Sequence, residues 1–299
     1  MTAKNSYDSS FLTYQQTIET KLKQKTDEFP SVGILKEACI YALLNGGKRF
    51  RPTLVFMVAE ALNQQLDVSS AALAIEYFHT ASLVADDLPC MDDDNERRNK
   101  PTVHKVYGEA IALLASYALI AEGYGAIAES FRVYTQTRLE KVVESSKIVV
   151  LALENAAFNT GLHGATGGQY LDIFPPDLSE RTLREVIHKK TTSLFEIAFV
   201  FGWLFGGGNP DDLSLVKICA SHFGMAFQIA DDLGDVEQDI KNGRKINMAG
   251  VFGVDVAKRI FKEEIEGYRA ALKRLQIDSP SLLGLASSLE NQVASLKHP

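Results

Sequence analysis

Apolar residues recur at intervals of three and four along almost the whole chain, and strand-like alternation is hard to find. Segments such as SVGILKEACIYALL, SSAALAIEYFHTASLVADD and LREVIHKKTTSLFEIAFVFGWLF show this spacing. Positions three and four apart share one face of an α-helix, so each segment is expected to bury one face. The stretch GEAIALLASYALIAEGYGAIA is apolar nearly all round, which indicates a central helix surrounded by others. The pattern predicts an all-α fold.

No repeat, low-complexity tract or long linker interrupts the 299 residues, so 1–299 are expected to form a single all-α domain. The net charge of -7 argues against nucleic acid as a partner, because neutralising phosphates needs a broad basic surface. Cys39, Cys90 and Cys219 show no paired spacing, which fits a reducing compartment and gives no zinc pattern. The first residues are polar, and no run of about 18 uncharged apolar residues occurs. These features predict a cytoplasmic protein without stable membrane insertion.

The stretch SLVADDLPCMDDDNERRNKPT concentrates carboxylates and places bases directly after them. Its acids are Asp86, Asp87, Asp92, Asp93, Asp94 and Glu96, and its bases are Arg97, Arg98 and Lys100. Crowded carboxylates repel one another unless water or a cation compensates, so the cluster is either a solvated loop or a seat for metal. Pro89 interrupts the preceding helix, so the acids from Asp92 onward must come from a loop that curls back.

A second acidic stretch, FGMAFQIADDLGDVEQD, lies on an otherwise apolar predicted helix. Helical spacing predicts one polar stripe formed by Gln228, Asp231, Asp232, Asp235 and Asp239. Such a stripe is costly to bury unless something satisfies it. Mg²⁺ typically takes one or two carboxylates and completes its shell with water and substrate phosphates. The two acidic stretches together therefore favour two halves of a clamp around Mg²⁺ and a polyphosphate over two solvated surfaces.

Basic residues accompany both acidic stretches and offer partners for an anion. LLNGGKRFRPTLV holds Lys48, Arg49 and Arg51 after a Gly-Gly turn, either as fixed cations around a diphosphate or as a surface patch. HKKTTSLFE and NGRKINMAG add further bases before and after the second acidic stretch. The glycines of GATGGQYLD, which also holds Gln169 and Asp172, indicate either close helix packing or backbone that yields to a ligand.

In order along the chain, GGKRFRP, DDLPCMD with RR and KPT, GGQYLD, KTTSLF and FQIADDLGD resemble the motifs of trans-isoprenyl diphosphate synthases. This is the family of farnesyl and geranylgeranyl diphosphate synthases, and the resemblance runs from about Gly46 to Lys245. It implies the isoprenoid synthase fold, an all-α bundle of long helices around a central cavity, usually as a homodimer. It also implies several Mg²⁺ ions bound with an allylic diphosphate, and isopentenyl diphosphate as the second substrate.

The same resemblance implies roles for individual residues. The metal ligands would be Asp86, Asp87 and Asp92 in the first motif and Asp231, Asp232 and Asp235 in the second. The allylic diphosphate would meet Arg97, Lys190 and Lys245, and isopentenyl diphosphate would meet Lys48, Arg51, His79 and Arg98. Positions near the allylic substrate are matched by Thr191 and Gln228. Direct catalytic roles would fall to Asp86, Asp87, Lys190 and Asp231.

The chemistry that this family performs needs no nucleophilic side chain, and no nucleophilic triad is evident in the sequence. The allylic diphosphate ionises, the isopentenyl double bond attacks the cation, and a proton is lost to the departed diphosphate. Metal ions with fixed lysines and arginines would stabilise the leaving group, and an apolar pocket would exclude water. Taken without the family, His79 is as well explained as a hydrogen-bonded core histidine.

Product length is expected to depend on the helix before the first motif. In the family, a bulky aromatic residue just upstream stops growth at fifteen carbons, so the small Ala81 and Ser82 favour a twenty-carbon product. One turn further away, Tyr77 and Phe78 would form the floor of the tail pocket. Against this, Tyr117 stands beside Ser116 where the family usually has Gly-Asp, and its ring would narrow the pocket and favour fifteen carbons.

The sequence therefore predicts a Mg²⁺-dependent prenyltransferase that makes geranylgeranyl diphosphate, with farnesyl diphosphate synthase as the alternative. A terpene cyclase would not need the second diphosphate site that Lys48, Arg51 and Arg98 indicate. A catalytically silent regulatory subunit is the alternative from another class, but such proteins typically lose one aspartate motif and both are intact here. A di-iron bundle would need a repeated Glu and His pattern that the sequence lacks.

Overall fold

The computed structural model of this chain describes residues 3–137, 142–241 and 246–296 and confirms an all-α protein. The helices are α1 (Ala3–Asp27), α2 (Ile34–Leu44), α3 (Phe50–Ala61), α4 (Ser69–Asp86), α5 (Val103–Tyr107), α6 (Glu109–Thr137), α7 (Val142–Thr160), α8 (Ala165–Ile173), α9 (Glu180–Ile187), α10 (Ser193–Phe205), α11 (Leu213–Lys241), α12 (Met248–Phe252), α13 (Val254–Leu275) and α14 (Pro280–Ser295). A π-helical turn occupies His188–Thr192, and a 3₁₀ turn occupies Pro210–Asp212. Within those three ranges the only strands are the antiparallel pair β1 (Glu96–Arg97) and β2 (Lys100–Pro101).

The chain divides into two compact units. The first consists of Phe11–Asn155 with Phe201–Gly207, and the second of Met1–Ser10, Ala156–Val200 and Gly208–Pro299. The first acidic stretch belongs to the first unit, and the second acidic stretch belongs to the second. Each unit has its own apolar core, in which aliphatic and small side chains dominate the first and aromatic rings are prominent in the second.

In the first unit, α4 packs along α6 and is the more enclosed of the two helices. Most side chains of α4 are buried, whereas α6 exposes the apolar residues Leu113, Leu114, Tyr117 and Ile120. The prediction that the apolar α6 is an enclosed central helix is therefore wrong. Small alanines on α4 let its neighbours approach closely, while α6 leaves one apolar side uncovered in this chain.

The second unit is built on an aromatic cluster that joins three helices. Phe195 and Phe199 of α10 meet Phe223 of α11, with ring centroids 5.3 and 5.9 Å apart. Tyr268 of α13 lies 5.1 Å from Phe223, and its hydroxyl donates to the Leu282 carbonyl at 3.0 Å. Because the rings are buried and the hydroxyl has a partner, the cluster fixes α11, the helix that carries the second acidic stretch.

The three cysteines are free thiols in different surroundings. Cys39 and Cys219 are buried, and burial raises the pKa of both thiols, that of Cys39 to about 11. Cys90, in the loop that follows α4, is exposed.

Two helical segments, Glu109–Gln136 and Pro210–Asp239, are long and apolar enough to cross a membrane by length and composition alone. Core helices of water-soluble proteins pass the same test, so length and composition do not by themselves indicate a span.

Candidate active site

The first acidic stretch begins where α4 ends. Asp86 is the last residue of α4, and beyond Pro89 the loop turns back so that the Asp92 N–H donates to the Asp86 carbonyl at 2.9 Å. Asp93 has a left-handed φ of 52°, and its N–H donates to the Leu88 carbonyl at 3.2 Å. The returning loop that Pro89 predicted is confirmed, and it brings Asp86 and Asp92 side by side.

Asp87 is buried and paired with a base. Arg97 Nε donates to Asp87 Oδ1 at 2.7 Å, and Arg97 Nη2 lies 3.3 Å from Asp94 Oδ2. Burial raises the pKa of Asp87, although the hydrogen bond and charge of Arg97 act in the opposite direction. The hairpin of β1 and β2, whose turn contains Arg98 at a φ of 57°, holds Arg97 in this position. Asp87 is thus the partner of Arg97, and its predicted role as a metal ligand stays a prediction.

Arg51, His79 and Arg98 converge near the glycine turn that precedes α3. The Arg98 guanidinium donates to the Gly46 carbonyl, and a Cβ on Gly47 would collide with that guanidinium. Arg51 Nη1 lies 3.3 Å from His79 Nε2. Burial, followed by the charges of Arg51 and Arg98, lowers the pKa of His79 well below its ordinary value, so the ring is neutral at pH 7. Three of the four residues that the resemblance assigns to isopentenyl diphosphate are therefore brought together.

Lys48 and Arg49, consecutive on the same turn, face different surroundings. Lys48 is exposed, whereas the Arg49 side chain has no exposed surface. Arg49 Nε donates to Glu19 Oε1 at 2.7 Å, and its other nitrogens donate to Glu76 and to the Leu43 carbonyl. The hypothesis that every cation of this turn holds a diphosphate is therefore wrong for Arg49, because acids and a carbonyl already occupy its guanidinium.

Thr191, Gln228 and Asp232 form a hydrogen-bonded chain from the π-helical turn to α11. Thr191 Oγ1 donates to Gln228 Oε1 at 2.7 Å, and Gln228 Nε2 donates to Asp232 Oδ1 at 2.8 Å. Asp232 Oδ2 accepts the Met248 N–H at 2.7 Å. Burial raises the pKa of Asp232 to about 6, although these hydrogen bonds act to lower it. The chain fixes two of the side chains that were predicted to lie near the allylic substrate.

The other aspartates of α11 do not share the surroundings of Asp232, so the predicted single polar stripe is divided. Asp231 Oδ1 accepts a hydrogen bond from Gln292 Nε2 at 3.3 Å, and Asp235, one turn later, is exposed. Asp239 Oδ2 accepts from Asn247 Nδ2 at 2.8 Å. Asp231 and Asp235 are four residues apart on one helix, so they form a pair on one face.

Lys190 forms an ion pair with Asp172, which links the π-helical turn to α8. Their elements approach closely because a Cβ on Gly168 would collide with the Lys190 backbone. Of the two explanations for the glycines of GATGGQYLD, close packing is therefore the one that applies to Gly168. Lys245, predicted to contact the allylic diphosphate, lies outside the described residues.

Ala81 meets α6 through Ser116. Ser116 Oγ donates to the Ala81 carbonyl at 2.9 Å, and both residues are buried. The Tyr117 side chain is 59% exposed. Ser82 is half-buried, and its hydroxyl donates to the His79 carbonyl at 2.9 Å. Of the two departures from the family pattern, Ser116 is the one in contact with the helix of the first motif.

Phe78 lies deeper along α4 and is locked in place by α6. It precedes Asp86 by eight residues, a rise of about 12 Å along a helix. Its buried ring meets Tyr124 edge-on at a centroid distance of 5.1 Å. A Cβ on Gly123 would collide with the same ring. Phe78 is therefore a rigid aromatic side chain about two turns below the first motif.

In the described part of the chain, no three His, Cys, Asp or Glu side chains come close enough to hold a metal ion. Each acidic stretch instead brings two aspartates near each other, Asp86 and Asp92 through a backbone hydrogen bond and Asp231 and Asp235 through their helical spacing. Mg²⁺ takes one or two carboxylates when water and phosphate oxygens complete its shell. The donor set therefore fits Mg²⁺ that is shared with a diphosphate, and not a metal that the protein holds alone.

Sequence reasoning left several hydrogen-bonded polar residues without a role. Glu76 anchors Arg49, Asp172 pairs with Lys190, and Asn247 Nδ2 donates to the Asp232 carbonyl at 3.0 Å. Glu76 carries a recognisable signal, because a lone acid in the apolar run SSAALAIEYFHT must find a partner when buried. Asp172 and Asn247 carry none, because their partners come from distant parts of the sequence.

Comparison with known proteins gives consistent results. The sequence model of the polyprenyl synthetase family matches residues 32–257. A farnesyl diphosphate synthase of Bacillus subtilis is 37% identical over 238 residues, which are 78% of this chain and 77% of that protein. The mitochondrial geranylgeranyl pyrophosphate synthase 10 of Arabidopsis thaliana is 35% identical over 248 residues, 79% of this chain and 69% of that protein.

Solved structures show the same fold. A FPP/GFPP synthase from Zymomonas mobilis superposes with a TM-score of 0.80 at 28% identity, covering 95% of this chain and 99% of that one. A geranyltransferase from Legionella pneumophila gives a TM-score of 0.82 at 26% identity, covering 97% and 99%. With its helical architecture, its two aspartate motifs and these relatives, the chain belongs to the polyprenyl synthetase family of prenyltransferases.

Proposed function

We propose that this enzyme condenses isopentenyl diphosphate with an allylic diphosphate and that its main product is geranylgeranyl diphosphate. The observation that carries the proposal is the convergence of Arg51, His79 and Arg98 beside the glycine turn, in addition to the carboxylate pairs. A cluster of arginines suits a diphosphate that keeps its charge, and a site with several aspartates suits one that departs with Mg²⁺. Two kinds of diphosphate site are what a condensation of two diphosphates requires.

For the allylic diphosphate, the proposed contacts are Arg97 and Lys190, and both are aimed by acids. Asp87 fixes the Arg97 guanidinium and Asp172 fixes the Lys190 ammonium, so neither cation has to reorganise when charge develops on the leaving group. Lys245 would add a third positive charge. Mg²⁺, when bound by the aspartates of either motif, would supply further stabilisation of that negative charge.

The hydrogen-bonded chain of Thr191, Gln228 and Asp232 would place fixed oxygen atoms around the allylic carbon. Gln228 donates to Asp232 and accepts from Thr191, so its amide cannot rotate without breaking both bonds. We assign to this chain the positioning of the allylic tail and the stabilisation of its cation. The proton that is lost from the adduct passes to the departed diphosphate, so no side chain acts as a base.

The preference for twenty carbons rests on the small residues Ala81 and Ser82 before the first motif. Because these positions hold no aromatic ring, we assign the floor of the tail pocket to Phe78, whose ring packs against Tyr124. A fifteen-carbon product is the alternative, and Tyr117 would be its cause. Relatives of both kinds are among the similar proteins, so the names of relatives do not decide between them.

We further infer that the enzyme is a cytoplasmic homodimer. Leu113, Tyr117 and Ile120 recur at helical spacing on α6 and are exposed, which suits contact with a second copy. Sedimentation velocity of the purified enzyme tests this assignment, and a monomer throughout the micromolar range would contradict it.

The first experiment supplies purified enzyme with Mg²⁺, labelled isopentenyl diphosphate and, separately, dimethylallyl, geranyl or farnesyl diphosphate. The dephosphorylated products are then sized. Twenty-carbon product from all three primers is expected. A stop at fifteen carbons, with farnesyl diphosphate unused, would establish the shorter product. A folded protein that makes no product with any primer would contradict catalysis and favour a regulatory subunit.

A further inference from the structure

The N-terminal helix α1 is not accounted for by the activity proposed above. The match to the polyprenyl synthetase family begins at residue 32, after α1 has ended at Asp27. Nevertheless, α1 contacts the turn of residues 46–50, which leads into the first residue of α3 and carries Lys48. A helix outside the matched region thus touches the segment to which we assign the diphosphate of isopentenyl diphosphate.

One face of α1 makes all of these contacts. Phe11, Gln15 and Glu19 are spaced by four residues, which places them in a row along the helix. Each member of the row meets a different residue of the turn. The contacts are Phe11 with Phe50 (ring centroids 5.6 Å apart), Gln15 Nε2 with the Lys48 carbonyl (3.4 Å) and Glu19 Oε1 with Arg49 Nε (2.7 Å).

The turn requires such support because its backbone is unusual. Arg49 has φ of 48° and ψ of 38°, a left-handed conformation that costs a residue with a side chain about 1–2 kcal/mol. Gly46 and Gly47 also have positive φ, so three of four successive residues lie outside the ordinary helical and extended regions. Such a conformation persists only when its surroundings fix it.

Arg49 transmits the support to its neighbours. Its guanidinium bridges Glu19 of α1 and Glu76 of α4, and it also donates to the Leu43 carbonyl at the end of α2. Three helices therefore hold a single side chain that does not itself face solvent. Lys48 immediately precedes Arg49, and its carbonyl accepts a hydrogen bond from α1 while its side chain is exposed. The direction of the Lys48 side chain therefore depends on the contacts that hold the backbone of the turn.

We propose that Phe11, Gln15 and Glu19 form a clamp that positions Lys48 for the diphosphate of isopentenyl diphosphate. These three residues are positioning residues, because they act through the turn and touch no reacting atom. The inference rests on the proposed function for the identity of the diphosphate. It does not depend on product length.

The clamp is tested with Glu19→Gln, which keeps the shape of the side chain and removes its charge. Lys25→Met is the matched control, because Lys25 also joins α1 to another helix by an ion pair, 3.1 Å from Glu129, at similar partial exposure. Steady-state kinetics with geranyl diphosphate and isopentenyl diphosphate give the turnover number and a KM for each substrate.

We expect Glu19→Gln to raise the KM for isopentenyl diphosphate about ten-fold, which is the size of one weakened charged hydrogen bond. The turnover number and the KM for geranyl diphosphate should change less than about two-fold, because the allylic side does not involve this turn. Gln15→Ala should shift the same KM in the same direction by about three-fold, because its bond is uncharged. Lys25→Met should change none of the three constants.

An active enzyme in which neither Glu19→Gln nor Gln15→Ala changes this KM would overturn the clamp. A comparable change in Lys25→Met, or an equal loss in all three constants, would also overturn it, since general destabilisation would explain both. A wild-type enzyme that makes no product contradicts the proposed function instead. Calorimetric titration with inorganic diphosphate in EDTA then tests the clamp. Weaker diphosphate binding by Glu19→Gln than by Lys25→Met supports the clamp, and equal binding overturns it.

Discussion

Protonation of the His79 ring is opposed by burial and by the positive charges of Arg51 and Arg98, with smaller contributions from Arg97 and Arg49. In the unfolded chain the same ring takes up a proton near its ordinary pKa of 6.5. Below that pH the unfolded state therefore binds a proton that the folded state rejects. The free energy of unfolding must fall as the pH falls through 6.5.

This coupling predicts the behaviour of His79→Gln. Between pH 6.5 and 5.5 the wild type should lose about 1 kcal/mol more unfolding free energy than the variant, because only the wild type carries this titrating ring. Urea unfolding of both proteins at the two pH values measures the difference. Identical pH dependence in the two proteins would mean that the folded ring accepts a proton, contrary to its surroundings.

Asp172 is expected to affect the turnover number through its ion pair with Lys190. Asp172→Asn removes the charge that aims the ammonium, so the turnover number should fall about ten-fold while the KM for isopentenyl diphosphate is unchanged. Asp255→Asn, in the first turn of α13, serves as the control and should have no effect. An unchanged turnover number in Asp172→Asn would show that Lys190 finds its position without this partner.

Between elements, close approach of α8 to the π-helical turn depends on Gly168. Gly168→Ala would place a Cβ against the Lys190 backbone, and we expect the unfolding free energy to fall by about 1–3 kcal/mol. Gly125→Ala on α6 is the matched control, because a Cβ there meets open space and alanine favours a helix over glycine. Thermal unfolding should show a lower midpoint for the first variant and an equal or higher midpoint for the second.

The packing of α4 on α6 yields a prediction about product length. Phe78→Ala would remove the ring that we propose as the floor below Ala81, so products longer than those of the wild type are expected. Tyr117→Ala should leave the product unchanged, since the Tyr117 ring is mostly exposed and Ser116 makes the contact with α4. Chromatography of dephosphorylated products decides between them. Longer products from Tyr117→Ala alone would identify Tyr117 as the floor. If Phe78→Ala does not fold, Phe78→Leu carries the same test.

Elements were largely predictable from sequence, because periodic apolar residues specify helices locally, and Pro89 by itself indicated a returning loop. Partners were not. The sequence groups Arg49 with Lys48 and Arg51, because sequence spacing does not show that a left-handed residue turns its side chain inward. The enclosed helix was misidentified because burial depends on which neighbours cover an apolar face, and α6 and α4 are equally apolar in sequence.

For the whole molecule, the pairing of carboxylates predicts that metal and diphosphate bind cooperatively. Each pair is too small to retain Mg²⁺ alone, and each diphosphate needs cations. Mg²⁺ and inorganic diphosphate each should raise the thermal midpoint of unfolding. When both are present, the rise should exceed the sum of the two separate rises. In Asp86→Asn the excess of the combined rise over the sum should be smaller. In the wild type, EDTA should abolish turnover without unfolding the protein. Strictly additive shifts in the wild type would contradict shared binding.

The loop between Asp87 and Asp92 carries Cys90, the exposed thiol, while the other two cysteines are buried and hold their protons tightly. Thiol reagents attack the thiolate, so a maleimide dye added to the native enzyme should attach at this one place. The chain thus supplies its own fluorescent reporter position beside the first carboxylate pair. Emission from a dye there would follow substrate arrival in real time, in an enzyme whose sequence needs no alteration.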